Sequence, residues 1–377
     1  MARAFIDNMK MGMSLDELAA EVERRAGVTQ DLVLPVEKLE AVVVKAGGGL
    51  EVRLAVAEGK KKAFRVTQNA QAQLGKYTGI SLRQYWEMQV KDPELLARDI
   101  NRSLKSKAGD SRLLRTVDGA LRAFLSERYR GLENRDLVEA VLPVLKERDL
   151  MIASCFVSDI LLYIKAVDRR IERDVPTGRR LGDGSNTRFD TISPGIVVSN
   201  SEIEEDALTI EASIWTLACT NLAIMGQAVE RYHLDALLGG ETRKLSAAAT
   251  RSRLRDLVSL SLDKANLEAD AKRLKRAAED PVELDEAVDV VGRAGESFSL
   301  TAGEMRSVLQ RFVEGEDFTR YGLHAAITRA SADVADYDRA TELERLGGRV
   351  IALPAAEWNP ILEGLRRVPP MPRRAVS

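Results

Sequence analysis

The dipeptide Asp118-Gly119 is all that separates two apolar runs, Leu113–Val117 and Ala120–Ser126. A two-residue connection of this kind needs positive φ at both central positions, which glycine accepts freely and aspartate tolerates. Its twist matches the right-handed twist of the strands it joins, so the segment is committed to an antiparallel hairpin. A second hairpin is expected downstream, where Leu150–Val157 and Ile160–Val167 meet at Ser158-Asp159. Alternation across 150–167 is imperfect, so part of that pair should be buried on both faces.

The remaining segments arrange themselves around these hairpins. Ser14 and Glu17 have capping-box spacing ahead of an amphipathic helix over 14–26. Leu39–Lys45 and Leu50–Ala57 read as strands that turn at Gly47-Gly48-Gly49, and Ala63–Val66 as a third. Residues 67–105 read as helices opened by Thr67, Ser81 and Asp92-Pro93. Asn134 is placed to cap a helix over 135–147. Residues 176–190 read as a mobile loop, 192–199 and 207–211 as β, and 212–227 as a buried helix. Thr242–Ala278 lacks glycine and proline and reads as one long helix or a helix pair. A capping box at Thr301 and Glu304 opens another helix, and Gly347-Gly348 should stop a helix over 323–346.

Together these give an α+β chain: an antiparallel sheet built from hairpins, backed by helices, with a helical C-terminal part. The expected divisions are an N-terminal α+β region (1–110), a central sheet and helix core (111–240), a helical region (241–367) and a disordered tail (368–377).

Composition removes several classes of function. Hydrophobic residues make up 45% of the chain, too many for wholesale disorder, and no run approaches the ~18 apolar residues of a membrane span. Met1–Leu18 lacks the pattern of a secretory signal. Cys155 and Cys219 are the only cysteines, and His233 and His324 the only histidines, too few for a disulfide scaffold or a multi-histidine metal site. No phosphate-binding P-loop, nucleophile elbow or dinucleotide fingerprint is present. The reading is a cytoplasmic protein without a required cofactor.

Net charge is −2, from 56 basic and 58 acidic residues, yet it is unevenly spread. The window 98–135 holds ten basic and five acidic residues. Arg115 and Arg122 fall on the two arms of the Asp118-Gly119 hairpin, and Tyr129 lies between Arg128 and Arg130. An aromatic ring flanked by guanidinium groups suits single-stranded nucleic acid, where bases stack and phosphates pair with arginine; a solvated basic edge is the competing reading. Lys165, Arg169, Arg170, Arg179 and Arg180 form a second basic group around 176–190. Residues 241–280 carry ten basic and seven acidic residues, a mixture usual for a solvated helix face. Glu202, Glu204, Glu205, Asp206 and Glu211 could instead supply carboxylates for Mg²⁺. Cys155 reads as an inert core residue, and Asn221 as a brace.

The runs LLRTVDGALRAFLSERYRGLENRDLVEAVLPVL (113–145), SPGIVVSNSEI (193–203), LACTN (217–221) and TRASADVADYDRATELERLGGRV (328–350) resemble a family of phage and plasmid proteins defined by a domain of unknown function. A weaker similarity is to single-strand annealing proteins of the RecT and Red-beta type. These resemblances imply a protein of a mobile element, in a bacterial host cell, that binds and anneals single-stranded DNA as a ring or filament of identical subunits. The alternatives are a phage assembly protein acting through subunit packing and a metal-dependent nuclease using the 202–211 carboxylates.

Overall fold

The computed structural model describes residues 12–363, apart from 48, 57–61, 130, 181–186, 204–207, 217–220, 233–251 and 253–254. Helix α1 (Leu15–Val28) begins at the capping box, with Ser14 and Glu17 each satisfying the other's backbone N–H. There follow β1 (Gln30–Pro35), β2 (Leu39–Ala46), β3 (Gly49–Val56) and β4 (Lys62–Val66), of which sequence reasoning missed β1. Helices α2 (Gln68–Thr78), α3 (Leu82–Lys91) and α4 (Pro93–Ser106) lead to the hairpin β5 (Ser111–Val117) and β6 (Ala120–Ser126). Asp118 and Gly119 have φ of 50° and 76°, as the two-residue turn demands.

These strands form one six-stranded sheet in the order β1-β5-β6-β4-β3-β2, antiparallel except for the β4–β6 pair. The sheet thus runs across residue 110, where a division was expected. Leu74, Tyr85, Leu96 and Ile100 of the three helices pack on Leu54, Phe64, Leu114 and Phe124 of its one face. At the β2 edge the Asn101 amide bonds both the N–H and the C=O of Ala41, occupying the backbone as a neighbouring strand would.

Helix α5 (Asn134–Glu147) then leads to the second sheet: β7 (Met151–Val157), β8 (Leu161–Val167), β9 (Arg173–Arg180), β10 (Thr187–Ser201), β11 (Leu208–Thr216) and β12 (Asn221–Tyr232). Its order is β12-β11-β10-β8-β7, with β9 beside the first part of β10. Two expectations are corrected here. Residues 176–190 include β9 and the start of β10 instead of forming only a loop, because Val175 and Ile192 bury against the C-terminal helices and the Tyr321 hydroxyl donates to Asp190 at 2.7 Å. The described residues of 212–227 are strand, not helix. Ile214, Trp215, Leu222, Ala223, Ile224 and Met225 are all buried, so both faces are apolar and the period-2 signal vanishes.

One face of this sheet packs on α1 and α5, through Leu18, Val22, Leu137, Val141, Ile164 and Ile196. The other face meets the helices from residue 264 on, whereas Leu257 and Val258 pack on the first face. Residues 255–261 are helical, and Asp263 caps a new helix, α6 (Lys264–Ala278), so the described part of the expected long helix is a pair. The remainder are α7 (Ala287–Ser297), α8 (Ala302–Gly315), α9 (Arg320–Ala330), α10 (Tyr337–Ala352) and α11 (Ala355–Glu363), with a core of their own around Val290, Phe312, Leu323, Leu343 and Trp358. This is the α+β architecture expected, with two sheets in place of one. The 368–377 tail lies outside the described residues.

Gly347 and Gly348 lie inside α10 and do not end it. They are where the helix is pressed closest to its neighbours: a Cβ on Gly348 would overlap the Ile224 carbonyl of β12, and one on Gly347 the Thr328 side chain of α9. Gly348→Ala should therefore cost about 3 kcal/mol in denaturant unfolding, because the neighbour is backbone and cannot repack. Gly27→Ala in α1, where an added methyl meets nothing within 4 Å, should instead stabilise by about 0.5–1 kcal/mol.

His324 of α9 is buried and its Nδ1–H donates to the Gly347 carbonyl at 2.9 Å. Burial pushes its pKa down to about 4. The unfolded chain therefore binds the extra proton first, and stability should fall as pH drops from about 6.5 towards 4, by of order 3 kcal/mol. Denaturant midpoints measured across that window should show the slope in the parent and lose most of it in His324→Asn.

Candidate nucleic-acid interface

The bulge in the β5–β6 hairpin governs the site. Pairing runs from Arg115↔Ala123 directly to Thr116↔Leu121, so Arg122 is an extra residue in β6. Such a bulge re-aims one side chain without ending the strand. The Arg122 guanidinium meets Glu202 at the end of β10, with Nη1 to Oε2 at 2.6 Å, and its Nε donates to the Asp159 carbonyl at 2.7 Å. Glu202 Oε1 accepts the N–H of Asn134 at 2.9 Å. The first turn of α5 is thus capped by a carboxylate from another strand, not by the Asn134 side chain, which accepts from Asn200 at 2.8 Å.

Arg115 completes this network. It grips Asp31 through Nε and Nη2 at 2.8 and 2.7 Å, reaches Glu133 at 2.8 Å, and donates to the Glu202 carbonyl at 3.1 Å. Burial alone would raise the Glu202 carboxyl, but the Arg122 guanidinium outweighs it and holds the pKa below the ordinary value. Burial pushes Glu133 up, and Arg115 only partly counters this.

The residues expected to hold nucleic acid are therefore scattered among different roles. Arg115 and Arg122 are 5% and 3% exposed and bind carboxylates of this chain, so the picture of two open hairpin arms bearing arginine is corrected. Arg128 is exposed. Tyr129 is half-buried and packs against Leu113, Ala123, Leu125 and Ile203. Arg130 lies outside the described residues. Lys165 is also internal: its Nζ contacts Glu344 at 2.5 Å and Thr341 at 3.0 Å and lies 4.6 Å from the Tyr337 ring centroid. Arg169 is half-buried, and exposed Arg170 is held by Asp168 and the Arg148 carbonyl. Arg179 and Arg180 end β9, and their side chains are not described.

The carboxylate candidates divide in the same way. Both Glu202 oxygens are taken, and Glu211 is bound by Arg345 of α10 at 2.7 Å. Glu204, Glu205 and Asp206 lie outside the described residues, as does Cys219. Among the described residues no three His, Cys, Asp or Glu side chains lie together as a metal site would need. Cys155 is buried, which raises its thiol to about 12.

Sequence reasoning missed where basic side chains converge. A cleft of about 330 Å³ is lined by Arg24 and Arg25 of α1, Arg53 of β3, Arg65 of β4 and Arg122 of β6, with Asp118 and Asp159 as its acidic members. Arg53 and Arg65 are direct cross-strand partners, an arrangement of like charges that disfavours the strand pair. Arg24 is engaged by both Asp118 oxygens at 3.0 Å and by Glu21; Arg25 bonds Glu21 and the Ser158 carbonyl. Hydrogen bonds from Arg24 draw the Glu21 carboxyl down to about 2, with Arg25 assisting. Arg65 is exposed and makes no ion pair among the described residues. The available signal was Arg53 and Arg65 at facing positions of the strands, but Glu21, Glu23 and Glu51 balance the local charge and concealed it.

No protein-family model matches the chain, and no curated protein or solved structure matches it. No helix among the described residues is long and apolar enough to cross a membrane.

Removing one partner of a buried ion pair strands the other. Glu202→Ala should lower unfolding free energy by about 3–5 kcal/mol, read from denaturant curves, whereas the paired change Glu202→Leu with Arg122→Met should recover much of that loss.

Proposed function

We propose that this protein binds nucleic acid by its phosphates, holding single-stranded DNA in recombination or replication of a mobile element in its bacterial host. The observation that supports this reading is the convergence of five arginines, from α1 and three strands, on one cleft that contains two aspartates. Guanidinium groups present paired donors that match phosphate oxygens, and charge alone supplies much of the affinity for a strand.

The cleft's lining includes no aromatic residue. Contact there would be with the backbone and not through stacked bases, which leaves base edges free to pair with an incoming strand. Annealing needs no more chemistry than that, and self-association into a ring or filament would set successive clefts along one strand.

Fluorescence anisotropy with a labelled single-stranded oligonucleotide provides the test. Binding should weaken with salt, with a log–log slope of about −0.7 for each phosphate neutralised. Arg65→Glu should reduce affinity at least tenfold. Arg83→Glu, a solvent-exposed change on α3 outside the cleft, should have little effect. No binding at low salt would overturn the proposal.

A further inference from the structure

We infer that the outward face of α7 is a docking surface for the chain's own basic segment 364–377, with Arg366 and Arg367 seated on Asp285 and Asp289. This stands apart from the nucleic-acid reading above and does not depend on it.

The helix carries a second apolar stripe beyond the one its core uses. Ala287, Val290, Val291 and Ala294 follow one another at helical spacing and bury in the C-terminal core. Leu284 belongs to the short 3₁₀ turn that leads directly into α7, and Val288 comes one turn later. They are 62% and 63% exposed. Nothing in the C-terminal core calls for them, and a covering segment would.

Charge identifies what that segment must be. Six acidic residues and no basic one lie between Arg276 and Arg293. Asp280 faces Arg320 at 3.8 Å, and Glu279 follows Lys275 and Arg276 by about one turn. That leaves Glu283, Asp285, Glu286 and Asp289, none of which has a cationic partner among the described residues. Asp285 and Asp289 are one turn apart beside the Leu284–Val288 stripe, a like-charge spacing that disfavours the helix while it stays uncompensated. Arg293 does not relieve it, because its guanidinium donates to the Ile361 and Leu362 carbonyls. The face therefore repels a phosphate chain and suits a basic peptide with apolar residues beside its charges.

Position identifies which peptide. The same Arg293 bonds hold the end of α11 against α7, so the chain leaves α11 next to this face. Residues 364–377 contain Arg366, Arg367, Arg373 and Arg374 and no acid, and Leu365 and Val368 flank the first pair. At no more than about 3.6 Å per residue, Arg366 can lie up to about 14 Å from Leu362. At 1.5 Å per helical residue, Asp289 and Asp285 lie about 6 and 12 Å from Arg293 along the axis. The first arginine pair thus reaches both carboxylates and brings Val368 to the Leu284–Val288 stripe. Exposed ion pairs are individually weak, but a tethered segment meets its site at an effective concentration near the millimolar range. A contact too weak to hold a separate peptide is enough to hold this one.

The test is the rate at which trypsin cleaves the full chain after Arg367, followed by mass spectrometry and normalised to cleavage of a free peptide of residues 364–377. In low salt the parent should be cleaved at least fivefold more slowly than the peptide. The protection should vanish in 0.5 M salt and in Asp285→Asn with Asp289→Asn, whose unchanged denaturant midpoint would show that it is folded. Leu284→Ser with Val288→Ser should also speed cleavage. Parent and peptide cleaved at the same normalised rate would overturn the inference, as would protection that survives both the salt and the Asn variant. Protection that grows with protein concentration would overturn the chain's own segment as the occupant and assign the face to a second copy.

Discussion

Glu202 meets three partners at once, two through its carboxylate and one through its backbone carbonyl, and it joins the two sheets of this fold. One oxygen neutralises Arg122 of the first sheet, and the other caps α5, which packs on the second. Its own carbonyl accepts from Arg115. Such a buried network is favourable only while every member is satisfied, since an unpaired charge in that setting costs several kcal/mol. The orientation of the hairpin, the start of α5 and the end of β10 are therefore set together. The cleft shares in that rigidity, because Arg122 is among its lining residues.

A second pair of buried ion pairs fixes the C-terminal helices. Lys165 of β8 with Glu344, and Glu211 of β11 with Arg345, tie adjacent residues of α10 to the second sheet. Between them lies an apolar seam of Tyr163, Val197, Trp215, Ile224 and Tyr337. Apolar contact supplies adhesion without direction, while the charged pairs choose one position of α10 along the strands.

Local signals in the sequence were reliable where a few neighbouring residues decide the structure. Asp118-Gly119 specified its hairpin, Ser14 with Glu17 specified a helix start, and Thr67, Ser81 and Asp92 each cap a helix as expected. Signals failed where partners are remote. Arg122 and Glu202 are 80 residues apart, and nothing in either neighbourhood says that they pair. The charge of Arg115, Arg122 and Lys165 suggested surface, but each has its carboxylate within the fold. Gly347-Gly348 looked like a helix end because close approach to a distant strand and chain termination favour the same residue. The cleft was hidden for a related reason: its arginines come from segments far apart in the chain, α1, β3, β4 and β6.

The parallel contact between β4 and β6 has a consequence for the order in which the chain acquires structure. Between those strands lie α2, α3, α4 and β5, and β1 has no partner in its sheet but β5. During synthesis, β2, β3 and β4 can pair as they emerge, but the sheet stays open on one side until the hairpin has been made. Contacts that span so much chain are slow to form, and an unfinished sheet exposes strand backbone to other molecules. Arg65 of β4 borders that open side. Exposed Arg65 on β4 puts a charge on that edge, the device by which unpaired strands discourage pairing with another chain, until β6 arrives and closes the gap.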